Sequence, residues 1–295
     1  MCHREKGEFM DRRNLAVLFM CLLIPVAAAR GDEGYFDSNG VKIHYVVQGK
    51  GEPVLLIHGF CANYNFNWAM PGIINALSKN YQVIAYDNRG HGLSGKPHDP
   101  KKYGMEMVED AVRLLDHLKI EKAHVVGYSM GAAITAKLLI THPDRLLSAT
   151  LGGHGGFREN GDTAFLEKLA NDLDEGKGIG ALIIALTPPG KPKPTEQEIQ
   201  IKSALMRGND QKALAAVVRS WHEIVVPDDK LKSCTVPTEA IIGSEDPLKK
   251  GVDDLPDRLP GVKILVVEGA DHMNTVSNPL FIKTLNEFLD SHHAK

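Results

Sequence analysis

The five residues Gly127-Tyr128-Ser129-Met130-Gly131 constrain this chain more than any other segment. They follow the apolar run Ala123-His124-Val125-Val126 and lead into a small-residue stretch that includes Ala132, Ala133 and Ala136. The pattern reads as strand, sharp turn and helix. A serine on such a turn projects its hydroxyl away from the backbone, and glycines on both sides let strand and helix approach without a Cβ between them. A bare glycine-serine-glycine match is a weak signal. The strand before it and the helix after it make Ser129 the candidate nucleophile.

The rest of the chain repeats that rhythm. Ser38-Asn39-Gly40 sits between two short alternating segments in residues 35–45, a hairpin turning on Asn39-Gly40. Residues 53–58 form a continuous apolar run, as expected of a strand covered on both faces, and it stops at Gly59. A helix is expected over 68–77, a strand over 82–87, a helix over 105–118, the Ser129 strand with its helix to about 141, and a strand over 147–151. Strand and helix in alternation predict a doubly wound α/β sheet, with the loops after the strands gathered on one edge. Gly59, Asp87 and Ser129 all fall at such ends. From 153 to 233 helical patterns replace the strands, around 164–173, 196–206 and 211–225, and the proline-rich loop 188–194 interrupts them. This segment reads as an inserted helical lid that divides the core into residues 30–152 and 234–295. Strands resume at 238–242 and 263–267, before a last helix at 280–289.

Composition narrows the class. With 295 residues, 43% hydrophobic and 24% charged, the chain can bury a large core. Its formal charge of -3 and the lack of a basic stripe argue against nucleic acid as a partner. Arg12-Arg13-Asn14, the apolar residues 15–26 and Ala27-Ala28-Ala29 match the three regions of an export signal, so residues 1–29 are expected to be removed near Ala29 and the protein to be periplasmic or secreted. A retained anchor is the alternative reading, although the apolar run falls short of the roughly 20 residues of a spanning helix. Met10 is an alternative start. Cys21 follows Met20, which is not the small residue of a lipoprotein signal. Removing the signal leaves Cys61 and Cys234, read as free buried thiols, with a single bridge as the alternative.

A serine hydroxyl needs a base, and the base needs a carboxylate to hold its tautomer. Asp246, in Gly243-Ser244-Glu245-Asp246-Pro247, and His272, in Glu268-Gly269-Ala270-Asp271-His272, each lie just past a late strand and follow Ser129 in the order this architecture uses. Glu245 and Asp271 compete for the acid role, but a side chain one position away points elsewhere. The backbone N–H groups of Met130, at a helix start, and of Phe60, after the Gly59 turn, are the expected oxyanion donors, with the Phe60 side chain lining the acyl pocket. His44, His58, His124 and His142 read as structural, His292 and His293 as a solvated tail, and His154 and His222 as residues in or beside the lid, with contact to a substrate as the alternative reading. Trp221 and residues 179–186 fit either a pocket wall or a packed lid core. Asp87-Asn88-Arg89-Gly90-His91-Gly92 reads as a turn held by local hydrogen bonds of Asp87 and Arg89. No nucleotide fingerprint and no His/Cys/Glu cluster of metal-ligand spacing is present, so neither a metal nor another cofactor is implied.

His58-Gly59-Phe60, Asp87 through Gly92 with Ser94, the Ser129 turn, Asp246 and His272 together resemble the α/β-hydrolase superfamily over nearly all of the chain after the export signal. The resemblance implies a mostly parallel eight-stranded sheet with helices on both faces and a lid after the sixth strand. Relatives that cleave epoxides or haloalkanes carry an aspartate where this chain has Ser129, and lipases with a His-Gly-Gly-Gly loop differ at Phe60-Cys61. The expectation is a serine hydrolase acting on a carboxylic ester of a small to medium molecule. Carbon–carbon bond hydrolysis, perhydrolysis and a ligand-binding role on the same scaffold are the alternatives, and the oligomeric state stays open.

Overall fold

The computed structural model describes residues 31–159, 161–205 and 208–294. The expected export signal at 1–29 lies outside the described residues.

Strands β1 (Asp32–Ser38) and β2 (Val41–Gln48) form the expected hairpin, with Asn39 and Gly40 both at positive φ. β3 (Glu52–Ile57) leads through a π-helical turn (Asn65–Ala69) and α1 (Ile73–Leu77) to β4 (Tyr81–Tyr86). The single helix expected over 68–77 is broken in two, because Pro71 and Gly72 intervene and Gly72 takes φ 84°, a left-handed conformation that ends a helix. Next come α2 (Met105–His117), β5 (Ala123–Tyr128), α3 (Met130–Thr141) and β6 (Leu146–Gly152).

Between β6 and the seventh strand lie α4 (Thr163–Asp174), α5 (Gly180–Ala185), α6 (Glu196–Leu205), α7 (Gln211–Ser220) and α8 (Asp228–Lys232). The helix expected over 211–225 stops at Ser220 and tightens into a 3-10 turn, Trp221–Ile224. The chain then closes through β7 (Thr238–Gly243), the short helices α9 (Lys249–Asp253) and α10 (Leu255–Arg258), β8 (Lys263–Val267) and α11 (Pro279–Asp290).

The eight strands form one sheet in the order β1-β2-β4-β3-β5-β6-β7-β8. β1 and β2 pair antiparallel with each other, β2 pairs antiparallel with β4, and all later pairings are parallel. From β3 the chain steps to one side, to β4, and then crosses back to β5 on the other side. Right-handed crossovers in opposite directions put their helices on opposite faces. Accordingly α1 packs with α11 on one face, through Ile73, Leu77, Phe281 and Leu285, while α2 and α3 cover the other through Met107, Ala111, Ala133 and Leu138. β3 feeds both layers, Val54 and Leu56 to one and Leu55 and Ile57 to the other, which is why its sequence is apolar without alternation. The turns after β3 and β5 diverge at this reversal of strand order, the place on the carboxyl edge where open α/β sheets bind their ligands.

Candidate active site

Ser129 stands at the turn between β5 and α3 with φ 56° and ψ -116°, a strained conformation for a residue with a side chain. The flanking glycines are what make the turn possible. A Cβ on Gly127 would lie 2.1 Å from the Gly131 carbonyl oxygen, and one on Gly131 would lie 1.9 Å from the Ile57 carbonyl oxygen. Both obstacles are backbone and cannot rotate away. The Ser129 N–H donates to the Gly152 carbonyl at 2.8 Å, which ties the turn to the end of β6.

His272 and Asp246 reach this hydroxyl from the loops after β8 and β7. Nε2 of His272 lies 2.9 Å from Ser129 Oγ, and its Nδ1 lies 2.8 Å from Asp246 Oδ2. Asp246 is itself oriented, because its Oδ1 accepts the Leu248 N–H at 2.8 Å. Asp246 and His272 are both buried, at 2% and 4% exposure, so their hydrogen bond is shielded from competing water. Asp271 faces another way, accepting the N–H groups of Met273 and Asn274, and Glu245 pairs with Lys191. Tyr128 was not singled out by its sequence position, yet its buried hydroxyl donates to the His272 carbonyl at 2.6 Å and pins the histidine loop. An aromatic residue at a strand end has no sequence signal that distinguishes this role from core packing.

The loop after β3 is held by polar side chains on every side. Gly59 N–H donates to Asn67 Oδ1 at 2.9 Å, and the Gly59 carbonyl accepts from His58 Nδ1 at 2.8 Å. His58 Nε2 in turn accepts the Asn88 N–H, and the Asn88 side chain donates to the His58 carbonyl. Burial holds the His58 pKa below its ordinary value, so the ring is neutral with its proton on Nδ1. His58 therefore shapes the turn, as its sequence position predicts. Cys61 takes φ 59°, and its carbonyl accepts from Asn209 Nδ2 at 3.0 Å, a contact from the segment between α6 and α7. The N–H groups of Phe60 and Met130 have no acceptor among the described residues. Met130 stands at the first position of α3, where the helix dipole favours an anion. Gly59 approaches Ser129 so closely that a Cβ there would sit 3.2 Å from the serine Cβ.

The Asp87–Gly92 turn reaches further than its sequence suggests. Asp87 accepts the N–H groups of Tyr64 and Leu93 and pairs with the buried His44 at 3.0 Å; burial disfavours its charge, but these bonds outweigh that and lower its pKa. Arg89 is fully buried and binds outside the turn, with Nε and Nη2 each 2.6 Å from the Asp110 carboxylate in α2 and Nη1 on the Lys102 carbonyl. The turn thus clamps β4 to α2 and holds Asn88 under His58.

Of the two histidines read in or beside the lid, His222 is exposed and bonds the Arg219 carbonyl, whereas His154 lies beside His272. The tail is not free, because His293 and the Ala294 N–H both bind Glu52 at the start of β3. Cys61 and Cys234 are both free thiols, the first buried and the second half-buried. Among the described residues no group of His, Cys, Asp and Glu is placed to hold a metal ion, and no helix is long and apolar enough to cross a membrane.

Comparison with known proteins agrees with this fold. Residues 52–177 match the family model of the alpha/beta hydrolase fold. The chain is 35% identical over 137 residues to the dihydrolipoyllysine-residue acetyltransferase component of the acetoin cleaving system of Cupriavidus necator, covering 45% of this chain and 35% of that protein. It is also 35% identical over 119 residues to the 2-hydroxymuconate semialdehyde hydrolase of a Pseudomonas species, covering 40% of this chain and 41% of that one. The chain therefore spans less than half the length of these relatives. Among solved structures, Est816, an N-acyl homoserine lactone degrading enzyme, is similar at a TM-score of 0.70 and 26% identity, over 87% of this chain and 100% of that one. The strand order, the serine turn and these similarities converge: the chain has the α/β-hydrolase fold, and its residues 52–177 match that family.

Proposed function

We propose that this protein is a serine hydrolase that cleaves a carboxylic ester, open-chain or cyclic, of a small to medium substrate. The observation that carries the reading is the continuous hydrogen-bonded chain from Asp246 through His272 to a serine hydroxyl held out on a strained turn. In this reading Ser129 Oγ adds to the ester carbonyl carbon as its proton passes to His272 Nε2. Asp246 fixes the proton on Nδ1 and balances the imidazolium charge. The oxyanion is received by the Phe60 and Met130 N–H groups, each donor of this type contributing about 3 kcal/mol. The imidazolium then protonates the leaving alkoxide as the carbon–oxygen bond breaks. Water, deprotonated by the same nitrogen, releases the acyl group as the acid and returns the proton to Ser129.

The helices between β6 and β7 act as the lid, with Trp221 against Phe60 bounding the acyl side. Lactone degradation by the similar Est816 supports the ester reading. The test is hydrolysis of p-nitrophenyl esters from acetate to palmitate by the parent protein and by Ser129→Ala. The variant is expected to lose on the order of 10⁶ in kcat, roughly 8 kcal/mol of barrier; retained turnover sinks the mechanism.

A second reading, hydrolysis of a carbon–carbon bond in a vinylogous diketone by the same residues, is supported by the similarity to the 2-hydroxymuconate semialdehyde hydrolase. Turnover of such diketones with none of simple esters favours it over the first. We further propose export of the chain, from the export-signal pattern of residues 1–29. An amino terminus near residue 30 in protein recovered outside the cytoplasm supports this, and confinement of the protein to the cytoplasm with its leader intact refutes it.

A further inference from the structure

His154 follows Gly152 and Gly153 at the end of β6, between the strands that carry Ser129 and Asp246. A Cβ on Gly153 would lie 3.2 Å from His272 Cε1, so the chain passes directly beside the base. The Nδ1 of His154 accepts the Gly156 N–H at 2.9 Å, which leaves the ring hydrogen on Nε2. Burial, and then the neighbouring His272, push its pKa down to about 4, so at neutral pH the ring is an uncharged donor rather than a cation. That Nε2–H has no acceptor among the described residues.

The ring opens a row of aromatic groups. His154 packs edge-on to Phe157 at 4.9 Å, Phe157 stacks on Trp221 at 5.0 Å, and Trp221 meets Phe60 edge-on at 5.0 Å. The row runs from the base to the residue whose N–H is the expected oxyanion donor. Trp221 carries a second idle donor, since its Nε1–H is buried with no partner among the described residues. Indole N–H can only donate, and a buried donor left unpaired is costly, so a complementary acceptor is what this wall lacks. Neither donor is charged. The cation that acts on His154, Arg258, has its guanidinium committed to Asp228 and to the carbonyls of Gly155 and Val226. Flat apolar faces with two neutral donors along them suit an uncharged carbonyl better than a carboxylate or phosphate.

We propose that His154 and Trp221 form a subsite for an uncharged carbonyl of the substrate other than the scissile one, so that the protein selects acyl groups bearing a keto, amide or lactone oxygen over plain alkyl chains. The proposal rests on the hydrolase reading for its catalytic consequence, but binding tests it separately. The Ser129→Ala protein is titrated calorimetrically with the p-nitroanilides of hexanoic acid and of its 3-, 4- and 5-oxo derivatives. One oxo isomer is expected to bind about 10-fold more tightly than the parent anilide and to shift the tryptophan emission. That advantage disappears when His154→Phe or Trp221→Phe is added.

In turnover of the matching p-nitrophenyl esters, the ratio of kcat/KM for the oxo ester to that for the alkyl ester falls about 10-fold in each of the two single variants. Equal affinity for all four anilides, or a preference that survives both substitutions, overturns the subsite. Selective binding without any ester turnover keeps the subsite and overturns the ester reading, while turnover without selectivity does the reverse.

Discussion

Replacing Asp246 by asparagine keeps size and shape but reverses which way a proton can point. Asp246 uses both oxygens: Oδ1 accepts the Leu248 N–H at 2.8 Å, and Oδ2 accepts from His272 Nδ1 at 2.8 Å. An asparagine that keeps the Leu248 bond must turn its NH₂ toward Nδ1. The ring then takes the other tautomer, with its proton on Nε2 facing Ser129, and it cannot accept the serine proton. The opposite flip restores the tautomer but sets NH₂ against the Leu248 N–H, losing one buried hydrogen bond and leaving two donors face to face, a cost of roughly 2–4 kcal/mol. Populating the competent form therefore costs about 30-fold to 10³-fold in rate. Loss of the carboxylate charge beside the developing imidazolium adds a further factor, so that kcat falls by about 10⁴ in total. The assay is ester hydrolysis across pH 6–9, with thermal melting to verify that the fold is intact. A folded Asp246→Asn protein within 10-fold of the parent's kcat would refute the tautomer argument and return Glu245 or Asp271 to consideration.

Two further outcomes concern the fold that carries the site. Gly131→Ala would drive a Cβ to 1.9 Å from the Ile57 carbonyl oxygen and 2.9 Å from that of His58, both backbone atoms of the neighbouring strand and turn. The expected loss is roughly 3 kcal/mol or more, a fall in Tm of about 6–12 °C; a melt unchanged from the parent would show that the turn is not sterically closed. Glu239, opposite Thr150 on β6 and Lys263 on β8, is buried, and burial raises its carboxyl pKa to about 8 despite the Thr150 hydrogen bond. The folded protein then binds a proton that the unfolded chain releases at the ordinary carboxyl pKa of about 4.3, so this residue costs stability increasingly as pH rises from there to about 8. Glu239→Gln is expected to melt like the parent at pH 4 and to be more stable by roughly 5 kcal/mol at pH 9. An equal difference at both pH values would contradict the burial of an ionisable carboxyl there.

The parts of this protein legible in its sequence are those set by neighbouring residues. Length of apolar run, covered faces and flanking glycines are local properties, so β3, β5, the Asn39-Gly40 hairpin and the Ser129 turn could be read directly. Where one residue breaks a pattern, reading it is harder: Gly72 at φ 84° splits what looks like one helix, because a turn's handedness is a matter of backbone angle rather than hydrophobicity.

Pairings across the chain belong to the tertiary structure. Arg89 looks like a turn residue until α2 packs over it and supplies Asp110, and Asn209 is an unremarkable polar residue until it reaches the Cys61 carbonyl. The sequence by itself determined that a serine, a late aspartate and a later histidine would lie at strand ends on one edge of a parallel sheet, since chain order and right-handed crossovers leave few other arrangements. Only the folded chain decided how Asp246, preferred from its position, meets His272, that His154 rather than His222 stands beside that base, and which ring nitrogen each histidine protonates. Those choices depend on side-chain direction and on contacts between residues 26 and 143 positions apart, and no local pattern encodes them.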